Sequence, residues 1–347
     1  MKLIPRFQTL ISTNICNSPC PYFSVAHDNL ISIAGGGGPS KSGVPNIVQI
    51  FNQHEEIAQF STFQEANFYV LKIQNFVFLA GTNHLRKLIL IKNKKYSLKE
   101  TKKIEIDEPR GFIEWRNLLI LAENITIKIF NFDLKIIKQF QVSEDCDELQ
   151  ERVIDISTNQ QTERLLLVIV TNKQVYHYDT GIEYKNYGLQ HTIEIFENHK
   201  YRKIEFFTDD YYFAIQHKQN SLLVLDGGFD PIFYIKVQQE IANFVYSSQE
   251  KLLVVVTVTG LVKVYKFMKP MKFKLLCQKH SKIDNFIHDL SFYSESGEII
   301  ILGVDGFETM KIAEKDYNLH IGWIFIIFLV LVMGIWVKQI RDQNLRR

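Results

Sequence analysis

Asn67-Phe-Tyr-Val-Leu-Lys-Ile73, the two-residue turn Gln74-Asn75, and then Phe76-Val-Phe-Leu-Ala80 decide the fold of this chain. The first run is an apolar stretch with polar residues Asn67 and Lys72, as a partly buried strand shows, and the second is more apolar, as a strand covered on both faces is. The same pair of runs recurs along the chain. Runs of the first kind are Tyr22 to His27, Asn67 to Ile73, Gly111 to Trp115, Arg152 to Ser157, Arg202 to Phe207, Ile241 to Tyr246 and Phe286 to Phe292, whose starts lie 39 to 50 residues apart. Runs of the second kind follow them, for example Leu30 to Ala34, Leu118 to Ala122, Leu165 to Val170, Leu252 to Thr257 and Ile299 to Gly303. Third runs such as Ile125 to Phe130 and Leu261 to Phe267 come after polar turns.

Three or four strands repeated seven times at a period near 40 predict an all-β, seven-bladed β-propeller of the WD-repeat kind. No Trp-Asp dipeptide closes a third strand and no Gly-His opens a blade, so spacing and patterning carry the prediction. The last blade runs short, while Lys2 to Ile11 have no blade of their own. The N-terminal run is therefore expected to supply the outer strand of the last blade and close the ring, because closure removes exposed sheet edges.

Composition agrees with a large folded domain. The chain has 347 residues, 46% hydrophobic and 22% charged, and a net charge of +2 that argues against nucleic acid as the main partner. Cys16, Cys20, Cys146 and Cys277 are too scattered for a disulfide framework, and Cys16-Asn-Ser-Pro-Cys20 has no second ligand pair to complete a zinc site. His177, His191, His199 and His217 lack ligand spacing, and Asp226-Gly-Gly-Phe-Asp230 reads as a turn.

The N-terminal residues contain no apolar run long enough for a signal peptide. Leu319 to Val337, by contrast, holds no Asp, Glu, Lys or Arg and has Trp323 and Trp336 near its ends. At about 1.5 Å per residue it spans about 28 Å, which suits the roughly 27 Å core of the endoplasmic reticulum bilayer. The expected layout is a propeller over 1–313, a linker at 314–318, a membrane helix at 319–337 and a tail at 338–347. Counting positive charge would put the tail, with Lys338, Arg341, Arg346 and Arg347, in the cytosol. A folded propeller is hard to translocate, however, and the expectation adopted is a cytosolic propeller with a lumenal tail.

Between two strands of the first blade stands Gly35-Gly-Gly-Gly-Pro-Ser-Lys-Ser-Gly-Val-Pro-Asn46. It nearly matches a phosphate-binding loop through Lys41 and Ser42, but Ser40 replaces the second glycine and a strand pattern follows where a helix N-terminus is required. Consecutive glycines are costly to order and place backbone where no side chain intervenes. Their carbonyl oxygens suit a weakly hydrated monovalent cation or the close approach of another protein. Pro45 stiffens the exit and holds Val44 extended, which would present Asn46 with a donor and an acceptor at the end of a rigid turn. The other reading is an ordinary long loop.

Two charged stretches remain. Arg86 to Lys103, with Lys87, Lys92, Lys94, Lys95, Lys99 and Lys102, reads as a solvated hairpin tip or a contact with anionic head groups or an acidic partner, and Glu144 to Glu151 as a solvated loop. The sequon Asn124-Ile-Thr126 falls within a strand pattern and is expected to be unused.

Leu30 to Phe51, with its apolar strand, four glycines, polar spacer, Gly43-Val44-Pro45-Asn46 and second strand, resembles the glycine loop of the prolactin regulatory element-binding protein and its fungal and plant counterparts, the Sec-twelve family. His84-Leu85-Arg86-Lys87 resembles a second, less specific family segment. The resemblance implies a propeller with one membrane anchor in the endoplasmic reticulum, acting as a guanine nucleotide exchange factor on the small GTPase Sar to start COPII coat assembly. It also implies a potassium ion held by backbone carbonyls at Gly35, Gly36, Gly37, Gly38 and Gly43, with Val44, Pro45 and Asn46 as the exchange element. No covalent chemistry is implied. The alternative is a tail-anchored propeller that scaffolds coat or tethering proteins without exchange, and a membrane-bound hydrolase ranks third for want of a catalytic group.

Overall fold

The computed structural model describes residues 7–315, apart from 18–21, 29, 39–43, 54, 143–150, 184–191, 198–200, 209–210, 217, 269–270, 284–285, 294–296 and 305. Every helix or strand element among them is a strand. The chain begins with β1 (Phe7–Asn17), then forms blade 1 from β2 (Tyr22–Asp28), β3 (Leu30–Gly35), β4 (Ile47–Asn52) and β5 (Glu55–Ser61). Blade 2 is β6 (Asn67–Ile73), β7 (Phe76–Gly81), β8 (His84–Lys92) and β9 (Tyr96–Glu105), and blade 3 is β10 (Pro109–Trp115), β11 (Leu118–Glu123), β12 (Thr126–Asn131) and β13 (Ile136–Gln141). Blade 4 is β14 (Val153–Thr158), β15 (Arg164–Thr171), β16 (Gln174–Glu183) and β17 (Thr192–Glu197), and blade 5 is β18 (Tyr201–Phe206), β19 (Tyr212–Gln216), β20 (Ser221–Leu225) and β21 (Pro231–Lys236). Blade 6 is β22 (Ile241–Ser247), β23 (Leu252–Thr257), β24 (Leu261–Met268) and β25 (Lys272–His280), and blade 7 is β26 (Ile287–Tyr293), β27 (Glu298–Gly303), β28 (Gly306–Lys315) and, as outer strand, β1.

The chain is thus a seven-bladed propeller of antiparallel four-stranded sheets. Its last blade is completed by the N-terminal strand, Phe7 opposite Lys315 through Asn17 opposite Gly306.

The strand patterns of the sequence have a packing cause. Second strands are covered on both sides by neighbouring blades, and β11 is buried throughout, whereas the outer strand β9 alternates between half-buried and exposed residues. Seven apolar clusters fill the seven seams between blades. One joins Val48 and Ile50 of blade 1 to Leu79 and Leu88 of blade 2, and another joins Ile300 and Phe307 of blade 7 to Ile33 and Ile47 of blade 1. Each buried Val, Leu or Ile in such a seam contributes about 1.5–3 kcal/mol.

A bulge near the start of every inner strand completes the ring. The register shifts between Tyr22 and Ser24, Asn67 and Tyr69, Pro109 and Gly111, Val153 and Asp155, Tyr201 and Lys203, Ile241 and Asn243, and Ile287 and Asp289. The third residue of the strand is thereby turned toward the seam. Asp289 accepts from the Val25 N–H (3.0 Å), Ser24 from Val70 N–H (3.2 Å) and Asp155 from Ile204 N–H (3.1 Å). At the seam between blades 5 and 6, Lys203 donates to Asn243 and to the Phe244 carbonyl, both at 2.9 Å.

Several expectations are revised. Asn124 is exposed at the β11–β12 turn with φ +49°, not within a strand. Glu151 is not solvated: it is 6% exposed and accepts from Thr171 (2.6 Å) and Tyr176 (3.0 Å), while Glu144 to Gln150 lie outside the described residues. Asp226 to Asp230 does form a turn, with Asp226 Oδ1 accepting from the N–H groups of Gly228 and Asp230 at 3.0 Å each. His177 packs its ring on Phe206 and Tyr212, and His191, His199, His217, Cys20 and Cys146 lie outside the described residues. So do the expected linker beyond Lys315, the anchor 319–337 and the tail 338–347; among the described residues no helix is long and apolar enough to cross a membrane.

Candidate functional site

Because the blades are antiparallel meanders in one orientation, the propeller has two distinguishable faces. Connections between second and third strands, and between one blade and the next, emerge on one of them, the loop face; the remaining turns emerge on the other. The glycine stretch is the β3–β4 connection of blade 1 and lies on the loop face.

Asn46 controls its shape. The side-chain Nδ2 donates to the carbonyls of Gly38 and Phe63, 2.6 Å each, and Oδ1 accepts from the Gly38 N–H at 3.0 Å. Asn46 is 1% exposed. The expectation that it is presented at the tip of a turn is therefore corrected: its amide folds inward and clamps the loop. The glycines make this possible. A Cβ at Gly36, where φ is +149°, would stand 2.1 Å from Asn46 Oδ1 and 2.8 Å from its Cα. Gly38, at φ +84°, has nothing within 4 Å of such an atom and is glycine for its backbone conformation alone.

The remaining residues expected at the site separate. Gly35 and Gly36 are buried, Gly37 and Pro45 are exposed, and Val44 is half-buried beside the cluster between blades 7 and 1. Gly43, with Lys41 and Ser42, lies outside the described residues. Of the carbonyls named for potassium, Gly35 accepts from Asn67 Nδ2 (3.4 Å) and Gly38 from Asn46. The Asn46 side-chain amide thus bridges the carbonyls of Gly38 and Phe63.

A polar chain leads from the loop into blade 2. The Asn46 carbonyl accepts from Thr62 N–H (2.9 Å), the Thr62 hydroxyl donates to the Glu65 carbonyl (2.6 Å), and Asn67 donates to Thr62 Oγ1 (2.9 Å). The Glu65 carboxylate, 7% exposed, faces Arg86 NH2 (2.6 Å), His84 Nδ1 (2.9 Å) and the Asn83 N–H (2.8 Å). Burial by itself would raise the Glu65 pKa, but the hydrogen bonds from Arg86, Asn83 and His84 and the Arg86 charge hold it below the usual value. Gly81 leaves room for this carboxylate, since a Cβ there would lie 2.7 Å from Glu65 Oε1. The His84 to Lys87 segment is in this way joined to the glycine loop.

Phe63, which the sequence reading passed over, stands out here. Asn46 holds its carbonyl, its φ is +57°, and its ring is 79% exposed. An aromatic held in the left-handed region with its ring in solvent has no role in the core. Beside it a cleft of about 660 Å³ is lined by Phe60, Glu65, His84, Arg86, Glu100 and Lys103 among others. The signal available in the sequence was Phe63 in a polar connection between two strand runs, without the alternation that would assign it to a core.

The basic stretch does not act as one unit. Arg86 is buried between Glu65 and Glu100 (2.5 Å), and Lys87 and Lys102 reach Asp133 of blade 3. Lys92, Lys94, Lys95, Lys99 and Lys103 are exposed.

No family model matches this chain, and no curated protein matches it. Among solved structures it is similar to Raptor of Chaetomium thermophilum, at 10% sequence identity and a TM-score of 0.66, over 89% of this chain and 30% of that one. This chain spans less than a third of that protein's length. With 1420 solved chains matching, the likeness carries the propeller fold and nothing about activity.

Proposed function

We propose that the chain is a membrane-anchored guanine nucleotide exchange factor for a Sar-type small GTPase, which it activates at the endoplasmic reticulum to start COPII coat assembly. The single observation that carries this reading is the clamped glycine loop of blade 1 with the exposed Phe63 ring beside it. The resemblance of Leu30 to Phe51 to the Sec-twelve glycine loop gives the target.

Exchange needs no covalent step. It needs a surface that binds the nucleotide-free GTPase better than the nucleotide-bound form. Gly37 is exposed and offers backbone without a side chain, so another protein's phosphate-site backbone can approach closely. Asn46 is a positioning residue in this reading: it fixes the loop before binding, so ordering the loop costs nothing at the encounter. Phe63 supplies an apolar anchor of the kind that dominates interface energetics. Residues 319–337 would hold the propeller at the membrane.

The test is release of fluorescent GDP from Sar by the full chain reconstituted in vesicles. The expected result is accelerated release that F63A reduces by about tenfold or more, the loss of one anchor worth about 2 kcal/mol. No acceleration over the spontaneous rate overturns the reading, and nucleotide-independent binding that F63A leaves intact favours the scaffold alternative.

A further inference from the structure

We infer that the face opposite the glycine loop rests on an anionic lipid surface, and that it makes contact through the outer strands of blades 5 and 6. Bare sheet edges invite pairing, and proteins guard them with charge. The outer strand β5 carries Glu55 and Glu56, and β9 carries Lys99, Glu100, Lys102 and Lys103. The outer strand β21 departs from that pattern. Between Pro231 and Lys236 it reads Ile-Phe-Tyr-Ile, and Ile232 is 47%, Phe233 39% and Tyr234 54% exposed.

The patch extends across a seam. The Phe233 ring stacks on Phe273 of β25 at 6.1 Å, and exposed Leu275 follows two residues on, on the same side of that strand. Exposed Met268 ends the neighbouring strand β24, opposite Lys272. Lys266, Lys272 and Lys274 are exposed around it, and none makes an ion pair among the described residues, whereas Lys236 ends β21 toward the loop face. Asp226, at the hairpin tip nearby, is turned back onto the N–H groups of Gly228 and Asp230.

Topology identifies the occupant. The β20–β21 and β24–β25 hairpins turn on the face opposite the glycine loop, and so does the exposed lysine tip at Lys92, Lys94 and Lys95 between β8 and β9. The strand β28 leaves Lys315 on that same face, four residues before the uncharged stretch Leu319 to Val337 begins. Rings and aliphatic groups flanked by lysine are the composition that suits a bilayer interface, where the ring lies at head-group level and the ammonium meets acidic lipid. Such an arrangement points the glycine loop away from the membrane. It rests on the anchor reading for the permanence of attachment and, beside the lysine-flanked patch, for the choice of face.

The experiment uses the full chain in vesicles of phosphatidylcholine with a minority of phosphatidylserine, carrying an environment-sensitive fluorophore in place of Tyr234 or, separately, of Phe63. Spin-labelled lipid is expected to quench the probe at 234 several-fold more than the probe at 63. Charge reversal of Lys266, Lys272 and Lys274 to Glu is expected to lose that difference, with near-UV circular dichroism confirming the fold. Equal quenching at the two positions, or stronger quenching at 63, overturns the inference, and so does an acidic protein segment binding the patch while 234 stays unquenched on vesicles. Quenching that persists without phosphatidylserine overturns the anionic part. Resistance to alkaline carbonate reports the anchor separately: a chain that washes off, yet is quenched at 234 beforehand, keeps this face and loses the anchor.

Discussion

The same connection, between second and third strands, is short in six blades of this molecule and long in one. In blades 2, 3 and 4 it takes two residues, Thr82–Asn83, Asn124–Ile125 and Asn172–Lys173; in blade 1 it takes residues 36–46. The last residue of each connection performs one shared task in five blades. The carbonyls of Asn46, Asn83, Ile125, Asn220 and Gly260 accept from the N–H groups of Thr62, Ile106, Val142, Val237 and Ser281, at 2.8–2.9 Å, and tie the end of the outer strand inward. Asn46 therefore serves the fold with its backbone and the glycine loop with its side chain. The propeller needs two residues at this point, and the rest of the loop is surplus to the ring.

The strongest way to break the comparison is to rebuild blade 1 on the pattern of blade 2, replacing residues 36–46 with Thr-Asn. The chain is expected to melt cooperatively within a few degrees of the parent, while acceleration of GDP release from Sar disappears entirely. A collapsed melt would show that the ring needs the long loop.

N46A should come next. It leaves the Gly38 N–H and the Gly38 and Phe63 carbonyls without their partner, and a loss of about 1–3 kcal/mol is expected in urea unfolding. N46D should do no better, because a carboxylate offers nothing to two carbonyls and repels them. G36A should cost about 1–3 kcal/mol through overpacking against Asn46, and less in the N46A background, since the two residues touch.

Glu65 sharpens the link to blade 2. Its folded pKa lies below 4.5, so the ionised form adds stability that is present above that value and lost as pH falls through the folded pKa. The gap between the parent and E65Q, about 1 kcal/mol because Arg86 keeps Glu100, should be constant near neutrality and close in acid, which denaturant midpoints along a pH series can measure. The smallest effect belongs to G38A. Nothing crowds that position, and only the positive φ opposes a side chain, at about 1 kcal/mol or less.

The propeller was legible because burial on both faces leaves a mark in composition. Leu118 to Ala122 and Phe76 to Ala80 are continuous apolar runs for the same reason that they are buried strands. Ring closure could be anticipated from a short last blade and an unassigned start. Inner-strand bulges were not, since a bulge is set by one displaced residue whose type varies from Ser24 to Lys203. The loop was conspicuous, but the direction of Asn46 was not: a short amide between glycines can turn out or in, and the choice depends on the Phe63 carbonyl, seventeen residues away. Glu65 and Phe63 were hidden for the same reason, as their partners meet only through the packing of blade 1 on blade 2. The lysine-rich hairpin was read as one surface, yet Arg86 points into the protein and Lys94 out of it.

Pairing of Phe7–Asn17 with Gly306–Lys315 makes the propeller's first strand the last to find its neighbour. Until residue 315 has left the ribosome, that segment, with Ile11 and Ile15, stays an unclaimed ribbon that a chaperone or a second nascent chain can seize. Six blades can stack as they emerge, but the circle is finished by a contact between segments far apart in sequence, a pairing that is intrinsically slow to form. A ribosome stalled shortly before that point would hold an open horseshoe, vulnerable at both tips.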